Sequence, residues 1–128
     1  MDTSQRLRLI YAGVRDAIAS VSPSAMAVER LMWGRNTGSA MAVARASGVI
    51  LLAAADAGIT VQEYAPLEVK MAVTGVGNAS KEQVRRSLVR VLSASGVPQE
   101  PNAADAVAIA VCYLQQSRFR RLTREATR

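Results

Sequence analysis

Three charged side chains stand where chemistry would need them: Glu29, Lys81 and Asp105. Asp105 belongs to EPNAADAVAIAVCYL, residues 100–114, where nearly every side chain from Ala103 to Leu114 is small or apolar. A carboxylate at the start of a buried helix has two explanations. With Asn102 as N-cap, Asp105 falls at the third helical position, where it complements the helix dipole and reaches back to the cap's N–H. The other explanation is a metal ligand, because carboxylate oxygens suit hard cations. Glu29 raises the same choice. It ends the apolar run AMAVE, 25–29, and in open parallel sheets ligands gather outside the carboxyl ends of the strands; a solvated residue at a strand exit looks the same. VTGVGNASK, 73–81, lacks Walker A spacing. Its two glycines ahead of a helix with Lys81 in the first turn can still hold a phosphate on backbone N–H groups. A flexible helix connection accounts for them equally well.

Periodicity defines the elements that must position these residues. Residues 4–20 place Leu7, Ile10, Tyr11, Val14 and Ile18 at helical spacing, and Ser22-Pro23-Ser24 stops the helix. AMAVE is a short buried strand of the parallel type. Residues 30–39 form a loop with the only tryptophan, and a long helix runs from about Thr37 to Ala57, ended by Gly58. ITVQEYA, 59–65, alternates Ile59, Val61 and Glu63 against Thr60, Gln62 and Tyr64 as a second strand. Pro66 opens a short helix, and Ser80 and Gln83 form a capping box at the head of the next. Gly96-Val97-Pro98 closes that helix, and Asn102 begins the last. The order is an α/β layout with little sheet. AMAVE has the composition of a strand flanked on both sides, and a bare apolar edge there needs cover.

Composition narrows the functions. The 128 residues fit one domain, and half are hydrophobic, enough for a packed core built with only 4% aromatics. The absence of histidine excludes imidazole catalysis and His-based metal sites. A single cysteine, Cys112, excludes a disulfide framework and a Cys-based zinc site, and reads as a small core residue suited to a reducing cytoplasm. Net charge +6 and a pI near 10.4 favour a polyanionic partner. The longest apolar run, GVILLAAA at 48–55, is too short for a bilayer, and the N-terminus lacks a secretory pattern. A cytoplasmic location without a membrane partner is expected. The helix over 37–57 is apolar on nearly all faces, which predicts a homodimer interface.

In order and spacing, RLRLIYAGV, MAVERLM, APLEVKMAVTGVGNASKEQV and NAADAVAIAV resemble the RuvC family of Holliday-junction resolvases, from about Arg6 to Leu114. The resemblance implies an α/β, RNase H-like fold and a homodimeric endonuclease that cuts two opposed strands of a four-way DNA junction. It implies Mg²⁺ or Mn²⁺ held by four acidic positions, and the branch-migration proteins RuvA and RuvB as partners. Glu29 matches the family's glutamate at a strand end, and Asp105 its last carboxylate. Lys70 and Lys81 match two basic residues that serve the phosphates near the cut. Met32 falls where the family often has an aromatic that stacks in the opened junction; Trp33 is placed to take that task, with Arg35 as a further DNA contact. Such a site needs no histidine or cysteine, since two closely spaced ions on oxygen ligands carry the in-line displacement.

Two departures matter. The family begins with a strand carrying an Asp before a Pro-Gly turn, followed by two more strands, whereas here Met1 falls at the start of the first helix. The family's acid one turn before Asp105 is Asn102, whose amide oxygen can ligate a cation but adds no charge; Glu100 is close by, on a loop. The expectation is therefore an N-terminally truncated RNase H-like fold with two parallel strands and about five helices. Residues 1–116 form the resolvase domain and 117–128 a basic C-terminal tail. The expected function is RuvC-type resolution with the activity of this chain lost or impaired; a non-cleaving, junction-binding homodimer is the alternative.

Overall fold

A computed structural model describes residues 1–30 and 37–127. Its elements are α1 (Thr3–Val21), β1 (Ala25–Glu29), α2 (Thr37–Asp56), β2 (Thr60–Tyr64), α3 (Pro66–Thr74), α4 (Lys81–Leu92), a 3₁₀ turn at Ala94–Gly96, and α5 (Pro101–Ala126). β1 and β2 pair as a parallel two-stranded sheet. The elements gather in two compact units. One holds α1, α2 and the leading parts of both strands; the other holds the strand ends and α3 to α5.

In the first unit α1 packs on α2. A capping box starts α1: the Asp2 carboxylate accepts from Gln5 N–H at 2.8 Å, and Gln5 Oε1 accepts from Asp2 N–H at 2.9 Å. Ser22, in the left-handed conformation, ends it by donating its N–H to the Ile18 carbonyl at 2.8 Å. Tyr11 donates its hydroxyl to the Asp56 carboxylate, and this bond raises the Tyr11 pKa. α2 is apolar yet largely exposed in the single chain, with Met41 at 59% and Leu52 at 55%. By length and composition Gly38–Asp56 is also apolar enough to cross a membrane. The uninterrupted run at 48–55 hid this, because Ser47 and Arg45 break the run without ending the apolar helix.

The second unit has its own core: Tyr64, Val69, Leu88, Val97, Ala108, Val111 and Cys112. α4 presents Val84 and Leu88 to it, and α5 presents Ala104, Ala108, Val111 and Cys112, the i, i+4, i+7, i+8 spacing of one helical face. Cys112 is fully buried, as its surroundings predicted, and burial pushes its thiol pKa up. Tyr64, which alternation grouped with polar residues, is buried instead, and its hydroxyl has no partner among the described residues. Burial along β2 does not alternate strictly: Val61 and Gln62 are both half-buried, Glu63 is exposed and Tyr64 is buried.

α5 corrects the expected cap. Its N-cap is Glu100, not Asn102: the Glu100 carboxylate accepts from Asn102 N–H at 3.1 Å and from Ala103 N–H at 2.7 Å, with Pro101 as the first helical residue. The helix also runs on through the basic segment as far as Ala126.

Candidate functional site

A cleft of about 320 Å³ opens in the second unit. Its floor is apolar, from Pro66, Val69, Val84, Leu88, Ala104, Ala108 and Ile109, and its charged residues are Glu29, Lys70, Lys81, Arg85 and Asp105. Each charge arrives on a different support. Glu29 is the last residue of β1, and that end is fixed by the Arg30 N–H, which donates to the Tyr64 carbonyl at 2.7 Å. The Arg30 guanidinium adds a 3.4 Å bond to the Glu63 carbonyl and a largely exposed ion pair to Glu68 at 3.7 Å, which contributes little by itself. Lys70 comes from α3, whose first turn is closed by Glu68 Oε1 accepting from Ala65 N–H at 3.0 Å. Lys81 opens α4 behind the Ser80–Gln83 capping box, with both reciprocal bonds formed. Asp105 stands at the fifth helical residue of α5, one turn past the cap.

That position decides what Asp105 is not. Glu100 already satisfies the open N–H groups at the start of α5, so the capping task proposed for Asp105 is taken. An exposed carboxylate in the apolar stretch 103–114 of α5, lining a cleft with two lysines, is left without a structural job.

The structure therefore brings together Glu29, Lys70, Lys81 and Asp105. Asn102 is exposed and stands outside the described lining. Met32, Trp33 and Arg35 lie outside the described residues. The two glycines of VTGVGNASK serve the chain rather than the cleft. Gly75 caps α3 with φ +80°, donating its N–H to the Met71 carbonyl at 2.9 Å. A Cβ on Gly77 would lie 2.8 Å from Leu67 Cδ1. Among the described lining residues neither glycine appears, so the loop contributes Lys81 and no glycine cradle. Sequence reasoning missed Arg85. The signal was present, since Arg85 follows Lys81 by four residues and so shares its helix face.

The sequence model of the family described as crossover junction endodeoxyribonuclease RuvC matches residues 1–113. The chain belongs to the RuvC family. The crossover junction endodeoxyribonuclease RuvC of Moorella thermoacetica is 47% identical over 124 residues, which cover 97% of this chain and 74% of that protein. The Thermotoga maritima RuvC is 42% identical, covering 98% and 74%. Thermus thermophilus RuvC superposes with a TM-score of 0.84 at 34% identity, over 93% of this chain and 72% of that one. The same protein in complex with a Holliday junction substrate gives 0.86 at the same identity. The α/β arrangement is thus the RNase H-like fold of RuvC. About a quarter of the length of these relatives has no counterpart in the 128 residues. The unpaired flank of β1 that the sequence predicted is present: the described sheet has only β2 beside it.

Proposed function

We propose that the protein is a RuvC-type endonuclease of four-way DNA junctions, with the cleft as its phosphate and metal site and with cutting lost or impaired in these 128 residues. One observation carries the reading: four residues chosen from four separate sequence segments line one cleft. Lys70 and Lys81 offset and orient the phosphate of the strand to be cut, where a low-polarity floor strengthens their pull. Glu29 and Asp105 are the metal ligands. A Mg²⁺ ion takes one or two carboxylates and fills its remaining positions with water and substrate phosphate, so this donor set fits one such ion, or Mn²⁺. When bound, it supplies Lewis-acid stabilisation of charge on a phosphoryl oxygen. Among the described residues no group of three or more candidate ligands is assembled, so a second ion has no ligand set there.

This charge count favours a second reading for the 128 residues by themselves: junction binding without cutting. The protein works as a homodimer in the cytoplasm, together with RuvA and RuvB. α2 faces the second copy rather than a bilayer, since the charged Arg45 sits mid-helix, where the hydrocarbon of a bilayer makes a guanidinium costly. Residues 1–116 form the resolvase domain, and the helical basic segment that follows is an accessory to it.

The test pairs binding with nicking on a labelled four-way junction and a duplex of equal length. The junction should bind more tightly, Lys70→Ala and Lys81→Ala should each weaken binding and lower its salt slope by about one unit or less, and no nicking should follow in Mg²⁺. Equal binding of both shapes, indifferent to either lysine, would sink the junction reading. Metal-dependent nicking abolished by Glu29→Gln would keep the nuclease and remove the non-cleaving alternative.

A further inference from the structure

We propose that Arg85 is a third phosphate-binding residue of the cleft, held ready by the carbonyl of Pro98; this rests on the reading of the cleft as a DNA site. Arg85 lies one turn beyond Lys81 on α4 and lines the cleft beside Glu29, Lys70 and Asp105. Its Nη1 donates to the Pro98 carbonyl at 2.8 Å. That bond uses one of five guanidinium donors and restrains the side chain at the cleft, so less freedom is lost when a second partner is taken. A neutral carbonyl does not balance the charge. Among the described residues the one ion pair is Arg30–Glu68, so no carboxylate neutralises Arg85.

Arg85 also decides the sign of the cleft. Lys70 and Lys81 only match Glu29 and Asp105, and the guanidinium leaves one positive charge in excess. An uncompensated, half-buried, pre-oriented fork suits the paired oxygens of a phosphodiester better than it suits any neutral group. The partner is thus the sugar-phosphate backbone of the DNA strand that enters the cleft. The plain alternative is an arginine that does nothing but tie α4 to the loop before α5.

The two are separated by the salt dependence of junction binding, measured for the whole chain and for Arg85→Gln, Arg85→Lys and Lys81→Gln. One lost phosphate contact lowers the slope of log K against log salt by about 0.9. Arg85→Gln should show that loss, and Arg85→Lys should keep the slope of the unaltered chain. An unchanged slope for Arg85→Gln, with a lowered one for Lys81→Gln, makes Arg85 a tether only and overturns the proposal while leaving the cleft on DNA. Unchanged slopes for both would remove the DNA reading of the cleft as well. If Arg85→Gln does not fold, arginine modification by phenylglyoxal decides the matter on the unaltered chain. Junction DNA should protect Arg85, and equal modification with and without it would end the proposal.

Discussion

Leu88 and Leu52 are the same side chain in two different settings. In the unit that carries the cleft, Leu88 is 1% exposed, packed among residues of β2, α3 and α5. In the α1–α2 unit, Leu52 is 55% exposed on a helix that is apolar nearly all round. The cleft unit sorts its apolar residues inward, and its charged residues are then held by helices that cannot shift without opening the core. The α1–α2 unit keeps much of its apolar surface outward, where it is open to a further surface. A site needs the first arrangement, and an assembly interface needs the second.

The largest expected effect lies in the first. Leu88→Ala should cost about 2–5 kcal/mol in urea unfolding, by the loss of buried surface plus the cavity left behind. The loss should be the same at every protein concentration, because Leu88 is buried within its own chain. A cost near zero would mean that the cleft unit is not self-supporting.

α2 should behave oppositely. If a second copy covers it, the melting temperature of the unaltered chain rises with protein concentration. Leu52→Glu should abolish that rise and halve the mass seen by light scattering. The unfolding free energy of the dissociated chain should change by no more than about 0.5 kcal/mol, the usual range for an exposed position. A monomer at all concentrations, with Leu52→Glu silent, would erase the contrast between the units.

A smaller effect sharpens the account of α5. Glu100→Ala removes the side chain that accepts from Asn102 and Ala103, and should cost about 1 kcal/mol. Asn102→Ala should cost clearly less. The sequence alone predicted the reverse order, and the reason is instructive. Asn ranks high as a cap and Glu does not, so type preference chose Asn102; but Pro101 suits the first helical position, and that fixes the cap at Glu100, two residues before Asn102. Much else was legible. Both strands, the Ser80–Gln83 box, the buried Cys112 and the four cleft residues follow from spacing and from the family resemblance. What was not legible depends on distant contacts. The place of Arg85 beside Lys81 was legible in their four-residue spacing and was missed; its tether, the Pro98 carbonyl thirteen residues away on a loop, was not legible. Tyr64 was placed with the exposed residues because burial along β2 departs from strict alternation after Val61, which the residue types do not show. The all-round apolar character of α2, and with it the expectation that a second copy covers the helix, was legible; which of its residues stay exposed in the single chain was not, since that depends on how α1 packs on it.

The smallest expected effect is a slope in pH, and it comes from Cys112. Burial raises its thiol pKa above the ordinary value of 9.0. In the unfolded chain the thiol ionises near that ordinary value, while in the folded chain it keeps its proton to higher pH. The contribution is therefore fully present below about pH 8.5 and is lost as pH climbs from the unfolded toward the folded pKa, since there the unfolded state binds fewer protons. Urea midpoints at about pH 7.5, 8.5 and 9.5 stay below the ordinary tyrosine range near 10, where Tyr64 and Tyr11, both raised, would add a fall of the same sign. The midpoint of the unaltered chain should fall across this window. Cys112→Ala should start lower, because it leaves a cavity, yet fall less steeply. Parallel slopes in the two proteins would mean that the Cys112 thiol meets water in the folded chain, and the cleft unit's core would then be looser than its packing implies.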